Sequence, residues 1–514
     1  MLLELRTANF KPFDAGQVCP LAPITLIFGP NSSGKRSLIQ ALMLLRQSVE
    51  GHGALSTGLI PQGRYVDLGS MRSLVHRHNH DRAVELGLSL RPLDESGGPD
   101  ERLDADFQFA PLADTQSGRH NGELTRVAYR RNGLEQLALE LLRCADDVNT
   151  RRRLPSSDQT FRFADDAAAA SYFRDVRRWI ESRLSAPGGE GLPRASSSDD
   201  ISPAPIADPE LRRELEASCR AIDGCGEMLA ASTVIAVGLL PSQLRLPRFF
   251  EFSKATTPHA AELALHLGAP IDEAAAKIYD ALASLSYLGP LRSYPERHYR
   301  IAGGQRDSVG TRGEHTSQLL YEREGDLSDR VNQWFDRFEM PYRLEIRSVG
   351  DEVVGDLVAL HLIDRRVGVR VAPSDVGFGV GQLLPILVEG LVANRRTICV
   401  EQPEIHLHPR LQAHVADLMI ETTGLIPAAE RRIDWRPRNQ WIAETHSEAL
   451  VLRLQKRIRQ GWIAPEDVSV LYVEPTSGHG SRVLQLALDD DGEFLDEWPD
   501  GFFEEGFREL FGQD

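Results

Sequence analysis

Lysine is scarce in this 514-residue chain: Lys11, Lys35, Lys254, Lys277 and Lys456 stand against 58 lysines and arginines in all. Nearly all positive charge is arginine, as a GC-rich genome would produce, so a lysine kept at position 35 is informative. Cysteine is scarce too. Cys19, Cys144, Cys219, Cys225 and Cys399 are scattered, odd in number and lack metal-type spacing, which excludes a disulfide framework and reads as thiols in a reducing cytosol. No long hydrophobic run occurs; the longest, near Val234 to Leu240, is too short to cross a bilayer. The opening Met1-Leu2-Leu3-Glu4-Leu5-Arg6 has an early acid and no small-residue cleavage site, so no signal peptide and a cytoplasmic, non-membrane protein are expected. A net charge of −17 argues against a protein that coats DNA non-specifically, though it leaves room for a local basic groove.

What is present is an ordinary globular composition, 41% hydrophobic and 26% charged, long enough for roughly two to four structural units. Leu2 to Ala8 and Ile24 to Phe28 read as strands, and Leu38, Ile39, Leu42 and Leu45 fall on one helical face. Further on, Val84 to Leu90 and Leu124 to Arg130 read as strands. Gly133 to Asp146, Ala167 to Leu184 and Pro209 to Ala231 read as helices, with loop-like or disordered stretches at 147–159 and 185–208. From Tyr287 the apolar pattern resumes. Strands are expected at Arg343 to Arg347, Leu357 to Ile363, Thr397 to Val400, Gln440 to Ala443 and Val468 to Val473, and helices at Gln382 to Ala393, Leu411 to Glu421 and Glu448 to Gln460. The end, Asp489 to Asp514, is strongly acidic.

The chemistry concentrates in four segments. Gly29-Pro30-Asn31-Ser32-Ser33-Gly34-Lys35 lies between an apolar strand and an amphipathic helix. A triphosphate needs amides wrapped around its oxygens, a helix N-terminus and a cation, and this loop supplies all three, so it reads as an ATP site. Thr397 to Glu404 is an apolar strand ending in carboxylates, the kind of element that holds Mg²⁺ and polarises water. Glu444-Thr445-His446-Ser447 follows the next apolar strand, and Ser374 to Gln382 is a glycine-rich stretch opening a helix, a second anion site.

That ordered set resembles the ABC-type layout. The chain is similar to bacterial AAA-labelled, ABC-type ATPases of the RecF, SMC and OLD class, in particular the branch with a C-terminal domain of unknown function found in Septu-like and retron-associated anti-phage systems. The stretches carrying the resemblance are GPNSSGK with SLIQALMLLRQS, YVDLGSMRSLVH, YLGPLRSYPER, DVGFGVGQLLPILVEGL, EQPEIHLHPRLQAHVADL, ETHSE and WPDGFFEE. They cover both ends of the chain and leave most of the part between His76 and Leu285 unmatched.

The resemblance implies an α/β P-loop ABC-type ATPase head built from N- and C-terminal segments, with an α+β and helical insert. The expected divisions are 1–50 (N-terminal part of the head), 51–285 (insert), 286–465 (C-terminal part of the head) and 466–514 (a small C-terminal domain). It further implies ATP and Mg²⁺ as cofactors and two heads that sandwich nucleotide, as a homodimer or higher oligomer. Gly29, Asn31, Ser32, Ser33, Gly34, Lys35, Arg36 and Ser37 of one head would face Ser374, Gly379, Gly381 and Gln382 of the other. Glu401 would hold the metal with Ser37, and Glu401, Gln402, Glu404 and His446 would form the catalytic set. The role implied is control of a separate effector encoded nearby, such as a nuclease, in anti-phage defence. A nucleotide-locked scaffold and a RecF-like DNA-repair ATPase are the alternatives.

Three departures bear on turnover. Arg36 follows the loop lysine where relatives carry the Ser or Thr that ligates Mg²⁺, and Ser37 comes one residue late, roughly 100° around the helix. Gln402, which cannot act as a base, stands at the usual catalytic glutamate position, with Glu404 two residues on. Gly381 replaces a customary Ser. Other segments have competing readings. His406 and His408 could be a zinc pair or a packing loop. Arg292, Arg297, Arg300, Arg306 and Arg312, with Tyr294 and Tyr299 among them, could contact nucleic acid or form a salt-bridged loop. Asp489 to Asp491 could serve a metal nuclease or form an acidic turn.

Overall fold

The structure is a computed structural model describing residues 1–51, 58–79, 81–92, 102–113, 120–132, 137–143, 159–185, 209–229, 231–237, 239–245, 260–301, 303–350, 353, 355–425, 438–478 and 480–499. Its contacts divide into two compact units. One comprises Met1, Cys19–Gln40 and Ser284–Asp514; the other comprises Leu2–Val18 and Ala41–Ala283.

In the first unit a six-stranded sheet runs Leu285–Leu288, Thr397–Glu401, Gln440–Glu444, Ile24–Phe28, Val468–Thr476, Gly480–Leu486. The first five strands are parallel, and the last returns antiparallel. Strands covered on both faces must be apolar throughout. Ile24–Phe28, Thr397–Glu401 and Gln440–Glu444 are accordingly buried at every position. The helices Phe378–Val392, Pro409–Thr423 and Glu448–Arg459 contribute Leu387, Leu418 and Leu454 to the same core, along with Leu26, Val400 and Ala443. A small sheet of Tyr299–Arg300, Tyr342–Ser348, Leu357–Asp364 and Val369–Val371 is antiparallel, as the alternation at 343–347 and 357–363 predicts. The α/β head assembled from both ends of the chain is therefore present.

The second unit is organised on antiparallel neighbours. Leu2–Ala8, Val84–Leu90, Arg102–Ala113, His120–Asn132, Leu137–Arg143, Gln159–Phe163, Thr233–Val237 and Leu240–Arg245 pair in that order. Two helices, Asp166–Ser185 and Pro209–Leu229, stand where the pattern predicts them. The helix expected over Gly133 to Asp146 is instead the strand Leu137–Arg143. Its leucines at 137, 139 and 141 also fit a period of two, and pairing with His120–Asn132 decides the matter. The helix Ala260–Ala283 has no counterpart in the expectations; Gly268 and Pro270 interrupt its pattern. The loop-like stretches at 147–158 and 186–208, and the end of the acidic tail from 500, lie outside the described residues. Among the described residues no helix is long and apolar enough to cross a membrane.

Candidate functional site: a glycine loop beside three carboxylates

Ligands of open α/β sheets bind beyond the carboxyl ends of the parallel strands, and the expected site residues gather there. The strand Ile24–Phe28 runs into Gly29, whose φ of 141° suits glycine, and a Cβ there would lie 2.3 Å from the backbone oxygen of Val473. Ser32 (φ 63°) and Gly34 (φ 103°) complete the reversal, and the helix Lys35–Glu50 starts at once. The first amides of a helix have no intrahelical acceptor, the arrangement by which helix termini can hold anions. Ser33 donates its amide to Pro30 O at 3.3 Å, and Ser37 donates to Gly34 O at 2.9 Å. The hairpin 468–486 braces the loop from behind, with Ser481 Oγ donating to Ser33 O at 2.6 Å.

Lys35 is buried, 4% exposed, and its Nζ donates to Gly29 O and Pro30 O at 2.8 Å each. Burial lowers its pKa, while the charges of Glu444 and Glu404 push the other way. Arg36 turns toward the acidic strand. Its Nε donates to Glu401 Oε1 at 3.0 Å and its Nη2 lies 3.4 Å from the Tyr287 hydroxyl, which itself donates to Glu401 Oε1 at 2.8 Å. Burial raises the Glu401 pKa and the Arg36 charge draws it back.

The sheet register explains how the acids converge. Glu401 pairs with Glu444, and Glu444 pairs with Ile27 on the loop strand, so both carboxylates end adjacent strands beside Gly29. Burial first, then the charge of Glu401, raises the Glu444 pKa to about 7. Glu404 Oε1 accepts the His446 amide at 2.7 Å and its Oε2 accepts the Thr445 hydroxyl at 2.8 Å. His446 is held toward its neutral form by burial and then by the charge of Lys35. Gln402, at φ 46°, donates its amide to Glu444 O at 2.7 Å.

Ser374, Gly379, Gly381 and Gln382 lie elsewhere in the head. Ser374 belongs to a 3₁₀ turn, Pro373–Asp375, and its carbonyl accepts the Tyr294 hydroxyl at 3.0 Å. The helix begins at Phe378, four residues before the expected start, so Gly379 and Gly381 fall in its first turn. A Cβ on Gly381 would meet Pro295 at 2.5 Å, and one on Gly379 would meet His406 O at 3.1 Å. This segment thus packs on 294–297 and 406.

The remaining candidates resolve individually. Arg292 is only 6% exposed, and its guanidinium donates to Glu401 O at 2.8 Å and Gln402 O at 3.3 Å. Arg297 forms a bidentate pair with Asp375, and Tyr299 Oη accepts the Glu296 amide. Arg292 and Arg297 are therefore engaged within the head. His408 caps the helix Pro409–Thr423 through Nδ1, and the His406 ring lies against Phe378 at 5.5 Å, which serves packing rather than a zinc pair. Asp489 Oδ1 accepts the amides of Asp491 and Glu493, an acidic turn closed by Gly492 at φ 74°. Tyr287, Arg292, Glu444 and Ser481 were missing from the residues singled out as the site. Tyr287 and Arg292 lie in the quoted stretch YLGPLRSYPER and Glu444 in ETHSE, whereas nothing in the sequence marks Ser481.

Two family models match adjoining parts of the chain. Residues 227–453 match the family described as "AAA domain, putative AbiEii toxin, Type IV TA system", and residues 463–513 match a protein family of unknown function, DUF3696. The resemblance to AAA-labelled ATPases with a C-terminal domain of unknown function is thereby borne out. No curated protein matches the chain. Among solved structures, the Smc head domain from Pyrococcus furiosus bound to the C-terminal domain of ScpA aligns over 95% of this chain and 96% of its own, at 12% identity and a TM-score of 0.38. The SMC head domain from Thermotoga maritima aligns over 95% and 99%, at 10% identity and a TM-score of 0.34.

Proposed function

We propose that this chain, an ATPase-class protein by its AAA match, binds ATP on Gly29–Ser37 and uses the bound state, more than its consumption, as a signal. The observation that carries this is the convergence of Lys35 and Arg36 with Glu401, Glu404 and Glu444 beside a strained glycine loop that opens a helix. In this reading the Lys35 ammonium, freed from Gly29 O and Pro30 O, and the amides of Gly34, Lys35 and Arg36 hold the phosphates, while Asn31, Ser32 and Ser33 shape the loop.

Turnover is slow in this account. Gln402 cannot accept a proton, and Glu404, the next carboxylate along, is tied by its two oxygens to Thr445 and the His446 amide instead of standing in the usual base position. Mg²⁺ between Glu401 and Ser37, as the resemblance implies, does not fit the donor set. Glu401 Oε1 already receives Arg36 and Tyr287, a cation stands where the ligating hydroxyl belongs, and Arg36 cannot ligate a metal.

Two chains then pair through nucleotide, with Ser374–Gln382 of one head meeting the phosphates of the other, and the paired state controls a separate effector. We place that effector, a nuclease encoded nearby, in cytoplasmic anti-phage defence. Light scattering after size exclusion with and without ATP tests the pairing, and copurification with genomic neighbours tests the effector. A mass unchanged by ATP refutes the first. Recovery of no neighbour, with no phage phenotype, refutes the second.

A further inference from the structure

We infer that the Arg36 guanidinium is a built-in cation of this site, so that the nucleoside triphosphate binds without a divalent metal. This rests on the reading that Gly29–Ser37 takes a triphosphate, and it specifies in what form. P-loop sites place a divalent ion between the hydroxyl after the loop lysine and the carboxylate ending the acidic strand, where it offsets phosphate charge. In this chain a side chain closes that line. Arg36 leaves the first turn of the helix and its Nε meets Glu401 Oε1 at 3.0 Å. The carboxylate is the buried end of the pair, with its side chain 2% exposed, and the guanidinium is the open end at 53%.

The pair is fixed in place by a third group. Tyr287 donates its hydroxyl to the same Glu401 oxygen at 2.8 Å and lies 3.4 Å from Arg36 Nη2. From behind, Arg292 donates to the carbonyls of Glu401 and Gln402, which fixes the end of the acidic strand. A guanidinium has five N–H donors in a planar fork, and the directions not used on Glu401 and Tyr287 remain for phosphate oxygens. It also stays charged at any physiological pH.

Charge explains why such a cation is needed. Glu401, Glu404 and, where it is ionised, Glu444 would repel a triphosphate; Lys35 and the buried Arg292 offset part of that charge, and Arg36 adds a cation on the open side. Displacing Arg36 to admit a metal would uncover Glu401 and leave an arginine competing with the ion for the same phosphate oxygens. The guanidinium supplies less charge than a divalent ion and no bound water, which accords with binding without rapid hydrolysis.

The test uses the intact chain and a fluorescent N-methylanthraniloyl ATP, titrated in excess Mg²⁺ and separately in EDTA. The wild type is expected to show dissociation constants within about threefold of each other, well inside the tenfold that 1.4 kcal/mol represents. Arg36→Ser restores the hydroxyl and removes the cation, and is expected to bind at least about tenfold more tightly with Mg²⁺ than with EDTA. Arg36→Lys, which keeps a cation, is expected to stay metal-independent and serves if Arg36→Ser does not fold. A wild type more than about tenfold weaker in EDTA overturns the inference and leaves the phosphate-loop reading standing. Absence of binding in both buffers overturns that reading and this inference with it.

Discussion

Arg36 and Glu401, 365 positions apart in sequence, meet as an ion pair, with Nε 3.0 Å from Oε1 across the carboxyl ends of the head's parallel strands. The contact joins the first turn after the glycine loop 29–34 to the end of the acidic strand. Most of what is specific to this head follows from that pair.

Phosphate release by the purified chain is expected to be slow, below about 1 s⁻¹, the low end of ordinary enzymes. Gln402 at the usual base position, with Glu404 tied to Thr445 and His446, is the reason. Turnover above about 10 s⁻¹ that is abolished by Lys35→Ala would refute it.

Gly29→Ala is expected to damage the loop itself. The new Cβ would press on Val473 O at 2.3 Å in a conformation that side chains rarely adopt. Strain of this kind costs on the order of 1–3 kcal/mol. Chemical denaturation should show that loss together with weakened ATP binding; an unchanged midpoint would show that the loop tolerates a side chain.

Arg292→Met tests whether Arg292 is a buried brace or a nucleic-acid contact. As a brace, its loss takes the guanidinium donor from the buried Glu401 carbonyl and leaves Gln402 O with the Ile405 amide alone, a cost of about 1–3 kcal/mol in unfolding free energy. A variant of unaltered stability whose DNA binding becomes less salt-dependent would restore the nucleic-acid reading.

Glu444 supplies a pH dependence of known sign. Its folded pKa, raised to about 7 from 4.5 by burial and by Glu401, means that the folded chain holds this proton more tightly than the unfolded chain. Its contribution to stability is therefore greatest below the unfolded value and is lost as pH rises through the folded one. Glu444→Gln removes this dependence, so its stability relative to wild type should climb from about pH 5 to about pH 8. A pH-independent difference would show that Glu444 titrates normally.

The parts of this fold that sequence reading reached share a physical cause. Ile24–Phe28, Thr397–Glu401 and Gln440–Glu444 are parallel strands buried on both faces, so they stand out as apolar runs, and the carboxylates that close two of them mark the site end. Leu137–Arg143 reads as helix in the sequence because its leucines satisfy helical and strand periods alike; the pairing that decides it is non-local. Ala260–Ala283 escaped because Gly268 and Pro270 break a helical pattern that packing nevertheless sustains. At the site, spacing identified Lys35, Glu401 and His446 as candidates, but no local pattern shows that Arg36 and Tyr287 share one oxygen of Glu401.

The claim beneath all of this is that Gly29–Ser37 is the nucleotide site, and calorimetric titration of ATP into the wild type and Lys35→Ala tests it most directly. The account predicts saturable binding of one ATP per wild-type chain, and affinity at least about tenfold weaker once the Lys35 ammonium is gone. Equal binding by both proteins, or none by the wild type, would contradict it.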